Sequence, residues 1–220
     1  MTQPLGSDCS RRGNRQIVPF NYQITISGAS GVGTTTTLKK LQAIYGMGWR
    51  YVSAGSMMRE FAARDGMTIE AFVEACRDGT LDGEHYDVVL HNRMREFARQ
   101  NNTVLEGRLA HLYAPLAFHV LITCPLDVRA ARRQRDTEHV SLMEMMRRIM
   151  DRDAADEVRL NSMYPGWQWP EESFDFVFDT SVPMIHDSVG AAIVDAHSAW
   201  MHSRSSTTND VMVDALPLWQ

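Results

Sequence analysis

The chain has 220 residues, 44% of them apolar, enough for one α/β core with a small insertion and too few for two full domains. It contains no run of eighteen apolar residues and no apolar stretch in its first twenty, so neither a membrane span nor a secretory signal is expected, and the expected compartment is the cytoplasm. A net charge of −5 weighs against a general nucleic-acid binder, and Cys9, Cys76 and Cys124 lack the number and spacing of a disulfide framework or a metal site.

In chain order, residues 1–19 are polar and without period and read as a flexible tail, ahead of a domain over 20–202. A β-rich run at 22–27 leads into Gly28-Ala29-Ser30-Gly31-Val32-Gly33-Thr34-Thr35 and a helix over 35–45. A second strand at 50–53 leads into Ser53-Ala54-Gly55-Ser56-Met57-Met58-Arg59, with helices over 56–64, 68–77 and 85–100. The third strand, 103–106, is followed by Gly107-Arg108-Leu109, and the fourth, 118–123, by helices over 126–135 and 141–163. A fifth strand at 174–179 and a helix over 185–201 complete the domain, and 203–220 reads as a second flexible tail. Strands alternating with helices predict a five-stranded parallel sheet covered on both faces, a three-layer α/β/α fold, with ligands at the carboxyl ends of the strands. The helical stretches outside the layers predict an acceptor-binding region over about 53–100 and a lid over about 129–165.

The segment Gly28–Thr35 follows a strand and opens a helix, the setting in which backbone N–H groups and a helix N-terminus cradle phosphate. It matches G-x-x-x-x-G-K-[ST] except that Thr34 stands where the lysine belongs; Thr35 keeps the hydroxyl expected on Mg²⁺. Lys39 and Lys40 are the chain's two lysines, and helical rotation turns them about 140° and 120° from Thr34, so neither replaces the missing cation. Arg132, Arg133 and Arg152 are the candidates to do so, among eight arginines between Arg129 and Arg159. Gly55 permits close backbone approach, Arg59 has the reach to hold a phosphate, and Glu106 ends a strand where an acid orients Mg²⁺-bound water or a hydroxyl, with Arg108 beside it. Arg152, Asp156 and Arg159 fall four and three residues apart and share a helix face, an arrangement equally suited to a phosphate beside a sugar hydroxyl and to an ordinary ladder of surface ion pairs. The histidines show no metal-ligand spacing, Met143, Met145, Met146 and Met150 read as packing residues, and Tyr164, Trp167 and Trp169 read as the base of the lid.

Taken together, the stretches 24–33, 52–59, 104–110, 125–133, 152–159 and 175–181 resemble the cytidylate kinase family of P-loop NTPases. The Ser-Ala-Gly and Glu-Gly-Arg-Leu-Ala wording looks like the archaeal branch, and R-D-x-x-D-x-x-R is similar to the bacterial one. The resemblance implies ATP with Mg²⁺ on Gly28–Thr35, the acceptor phosphate on Arg59 and Arg108, its sugar on Asp156, its base near Ser53, and phosphates in transit between Arg152 and Arg159. The expected reaction is transfer of the γ-phosphate of ATP to a pyrimidine nucleotide, CMP or dCMP first. Thr34 keeps two alternatives open: a kinase of the phage type acting on 5-hydroxymethyluracil within DNA, and an inactive nucleotide-binding protein.

Overall fold

A computed structural model describes residues 22–205 except 136 and 138, so the expected tail over 1–19 lies outside the described residues, as do Cys9 and most of the second tail. Five parallel strands, β1 (Gln23–Gly28), β2 (Arg50–Ser53), β3 (Thr103–Glu106), β4 (Phe118–Thr123) and β5 (Phe176–Asp179), form one sheet in the order β2-β3-β1-β4-β5. This is the P-loop NTPase α/β/α fold. The chain leaves β1 to one side for β2 and β3 and then crosses to β4 on the other, so the order reverses at β1 and opens a crevice at its carboxyl end.

Both faces of β1 are covered, and its side chains sort by period two. Ile24 and Ile26 join a cluster with Leu38 and Leu41 of α1 (Thr34–Tyr45) and Val189 and Ile193 of α8 (Pro183–Ser205). Across the sheet, Val52 and Leu105 pack with residues of α2 (Ala54–Arg64), α3 (Ile69–Arg77) and α4 (Gly83–Phe97). The polar residues of β1 are buried and satisfied: Gln23 Nε2 donates to the carbonyls of Ala98 and Gln100 at 2.6 and 2.7 Å, and Thr25 Oγ1 lies 2.8 Å from His119 Nδ1. A third, small cluster of Ala130, Met145 and Ile149 joins α6 (Leu126–Arg135) to α7 (Leu142–Met163), so the helical pair that follows β4 has a core of its own.

Several boundaries differ from the sequence reading because side-chain caps start helices at residues that read as loop. Ser53 accepts from the Ser56 N–H and starts α2 at Ala54, and Asp82 accepts from the His85 N–H and starts α4 at Gly83. The helix α5 (Ala110–Tyr113) was not expected, since four residues are too few to show a period. α8 continues to Ser205, into the stretch expected to be tail. Of the four methionines read as packing residues, Met145 is buried, but Met143 and Met150 are 81% and 56% exposed, a correction that reflects how little of α7 faces α6. No described helix is long and apolar enough to cross a membrane.

Candidate active site

β1 ends at Gly28, where a Cβ would lie 2.6 Å from the Ile122 carbonyl oxygen and 2.7 Å from Val32 Cγ2, so a side chain has no room. The loop closes at Gly33, the N-cap of α1, with φ 105° and no side-chain cap. The first turn of α1 thus turns its uncapped N–H groups and partial positive charge toward the loop. Thr35 is exposed on that turn, whereas Thr34 is turned inward and its Oγ1 donates to Glu106 Oε1 at 2.6 Å.

Glu106 is buried at the end of β3, and the β2–β3 register pairs it with Ser53. Ser53 Oγ donates to Glu106 Oε2 at 2.5 Å while accepting from the Ser56 N–H at 3.2 Å, so one hydroxyl both caps α2 and holds the carboxylate. Glu106 therefore connects the glycine loop, through Thr34, with the Ser53–Arg59 segment. A Cβ on Gly55 would lie 3.6 Å from Arg59 Nη1 and 3.8 Å from Ser53 Oγ, which places the guanidinium across Gly55; Arg59 Nη2 donates to Ser56 Oγ at 3.0 Å, and the residue is exposed.

Above these strand ends α7 contributes a chain of alternating charges. Arg108 pairs with Asp156, and its Nη2 lies 3.8 Å from Asp153 Oδ1. Arg152 Nε lies 3.9 Å from Asp156 Oδ2, and Arg159 spans from Asp156 Oδ1 at 3.4 Å to Asp87 Oδ1 at 2.5 Å. Arg129 Nη1 sits 2.7 Å from Asp153 Oδ2 and also donates to the Ser30 carbonyl at 3.0 Å; the Ser30 N–H donates to Asp153 Oδ1 at 3.4 Å. Burial pulls the Arg108 guanidinium below its ordinary value, against the attraction of Asp156. It stays charged at neutral pH because arginine starts so far above it.

The three arginines considered as substitutes for the loop lysine occupy different places. Arg133 lies along the loop, its Cδ 3.6 Å from a Cβ built on Gly31 and its Nη1 donating to Ser30 Oγ at 3.4 Å. Burial, and after it the like charge of Arg152, lowers its affinity for its proton, against the weaker attraction of Asp153 and Glu70. Arg152 is half exposed beside Asp156. Arg132, another of the candidates, donates to the carbonyl and Oγ1 of Thr180 and to Cys124 Sγ at 3.5 Å; Thr180 Oγ1 donates in turn to the Val32 carbonyl at 2.8 Å, so in this arrangement Arg132 braces the loop from behind. Lys40 packs toward Gly190 of α8, where a Cβ would lie 3.0 Å from Lys40 Cβ.

Sequence reasoning missed Asp87, Arg129 and Asp153. Asp87 is one of three acids on α4, 72 residues from Arg159, and nothing local marks it out from Glu84 and Glu96. Asp153 stands inside the R-D-x-x-D-x-x-R motif, but its partners on α6 and the loop lie 24 and 123 residues away. Trp169 Nε1 donates to the Arg108 carbonyl at 3.0 Å and its ring meets Trp167 edge-on at 4.9 Å, so the indole pair supports the backbone of an arginine in the site.

The family model described as "Cytidylate kinase-like family" matches residues 23–182. The cytidylate kinase of Methanopyrus kandleri is 32% identical over 169 residues, covering 72% of this chain and 84% of the relative. That of Pyrococcus furiosus is 34% identical over 160 residues, 72% and 79% of the two chains. Among solved structures, an uncharacterized protein from Eubacterium ventriosum superposes with a TM-score of 0.58 at 18% identity, covering 81% of this chain and 99% of that one. A gluconokinase from Sinorhizobium meliloti gives 0.54 at 11% identity, with 86% and 99% covered, and a shikimate kinase from Bacteroides thetaiotaomicron gives 0.52 at 16%, with 79% and 97% covered. These structures share the fold.

Proposed function

This chain belongs to the cytidylate kinase-like family, and from that premise we propose that it transfers the γ-phosphate of ATP to a pyrimidine nucleoside monophosphate, CMP or dCMP first. It is an ATP-dependent phosphotransferase; the identity of the acceptor is the proposal. The observation that carries it is Glu106, whose two oxygens accept from Thr34 on the loop side and Ser53 on the acceptor side. A carboxylate so placed lies between a bound triphosphate and an acceptor held by Ser53, Arg59 and Arg108. Asp156, held among Arg108, Arg152 and Arg159, is suited to a sugar hydroxyl.

Phosphoryl transfer asks the protein mainly for position and for positive charge around the moving group. Arg133, which lies along the loop with its Nη1 on Ser30 Oγ, supplies the charge that Thr34 cannot. A kinase of this type needs a divalent metal, here Mg²⁺, and the Thr35 hydroxyl and the Glu106 carboxylate are hard oxygen groups that fit it. The ion, when bound, neutralises phosphate charge. Closure of α6 and α7 over the loop excludes water from the γ-phosphate.

The test is ADP release measured with CMP, dCMP, UMP, dUMP and duplex DNA containing 5-hydroxymethyluracil. Turnover with a cytidine monophosphate well above the others is expected. If only the modified DNA is phosphorylated, the monophosphate reading is wrong, and if nothing is, the chain has lost the chemistry.

A further inference from the structure

The glycine loop already holds an anion, and it belongs to the protein. Asp153 accepts from the Ser30 N–H through Oδ1 at 3.4 Å and from Arg129 Nη1 through Oδ2 at 2.7 Å, while Arg108 Nη2 stands 3.8 Å from Oδ1. A loop amide, a guanidinium that also grips the loop carbonyl of Ser30, and a second guanidinium thus converge on one carboxylate. Such a donor set recognises a phosphate oxygen equally well. Asp153 is carried by α7, so its carboxylate also ties the lid to the loop.

We propose that Asp153 is an internal placeholder for a nucleotide phosphate: it neutralises Arg129 and the loop in the ligand-free chain, and a polyphosphate displaces it. Within the kinase reading, on which this inference rests, the exchange links nucleotide binding to movement of α7. A single carboxylate is displaced by a polyphosphate, which brings more charge and more acceptor oxygens to the same donors. A monoanion does not repeat that advantage. Displacement also releases Arg129 for the incoming phosphates and frees α7 to close again on the occupied site. Neither Arg129 nor Asp153 is then a passive surface ion pair, because their partnership has a cost to nucleotide affinity.

The test is calorimetric titration of the full chain and its Asp153→Asn and Asp153→Ala variants with MgATP and with tripolyphosphate, which lacks base and sugar. A placeholder predicts that removing the carboxylate tightens both ligands, by about tenfold, equivalent to ~1.4 kcal/mol. The gain should also be larger at low salt. A structural ion pair predicts the reverse, weaker or unchanged binding together with a lower melting temperature, and either result in variants whose circular dichroism matches the parent overturns the proposal. If Asp153→Asn does not fold, Asp153→Ala carries the same comparison. If both are unfolded, Asp153 is a structural requirement and the placeholder falls. Parent protein that binds both ligands without gain in the variants defeats the placeholder alone, whereas parent protein that binds neither ligand defeats the kinase reading itself.

Discussion

Thr34 does two things by not being a lysine: it leaves the loop without its own cation, and it gives Glu106 a neutral hydroxyl donor 2.6 Å away. On the proposed reading the first loss, local in sequence, is met from α6 by Arg133, which lies along the loop. Replacing Arg133 by Gln should therefore lower kcat/KM for ATP by about 10²-fold, the size associated with removing one preorganised electrostatic contact. Arg132→Gln should act mainly on stability, by about 1–3 kcal/mol, because its donors serve Thr180 rather than a phosphate. Steady-state kinetics set beside urea melts of the two variants distinguishes them, and a reversal of their roles would mean the loop is rearranged on nucleotide binding. The hydroxyl of Thr34 is tested by shape: Thr34→Val should lower kcat by about tenfold while Thr34→Ser keeps it, if the donated hydrogen bond to Glu106 matters in the transition state.

At the scale of elements, helix starts set the site. Ser53 is the last residue of β2, the cap of α2 and a donor to Glu106, so Ser53→Ala should cost about 1 kcal/mol in unfolding free energy and lower kcat as well. A cap that served stability alone would change only the first quantity. The α6–α7 pair is held by Ala130, Met145 and Ile149, and its outer methionines contribute little. Ile149→Ala should destabilise by about 2–5 kcal/mol, whereas Met150→Gln should leave the melting temperature close to that of the parent. A large shift from Met150→Gln would indicate that this face of α7 is covered in solution.

Over the whole molecule, three histidines lie away from the chemistry and are held in their neutral form, His197 buried and His111 and His119 half-buried. Burial pushes His197 down to about 4, among Trp49, Phe118 and Trp200, with Nδ1 2.9 Å from the Tyr45 hydroxyl. Burial, with the nearby charge of His119, pushes His111 down to about 4, and burial lowers His119 despite the opposing pull of Asp175. In the unfolded chain these rings take up a proton near 6.5 and in the folded chain only well below it, so between those values the unfolded state binds more protons. The stability they permit is complete above about pH 6.5 and falls as the pH drops toward 4. Urea midpoints at pH 7 and pH 5 should show the fall, and His197→Phe should flatten it; an identical pH slope in that variant would assign the effect to other groups.

The sequence by itself determined the strand–helix alternation, the phosphate loop and the strand ends that carry Ser53, Glu106 and Arg108, because each is a local pattern of period, glycine placement or position after a strand. The register that sets Ser53 beside Glu106 needed the sheet, since two four-residue strands do not announce their alignment. Which arginine faces the loop was likewise decided by tertiary structure: Arg132 and Arg133 are neighbours in sequence, and only the seating of α6 sends one to Thr180 and the other to Ser30. Asp87 and Asp153 became visible for the same reason, their charges being specified locally while their partners are brought to them by the packing of α4 and α7. Local residue chemistry sets what each group is able to do, and long-range packing sets which groups meet.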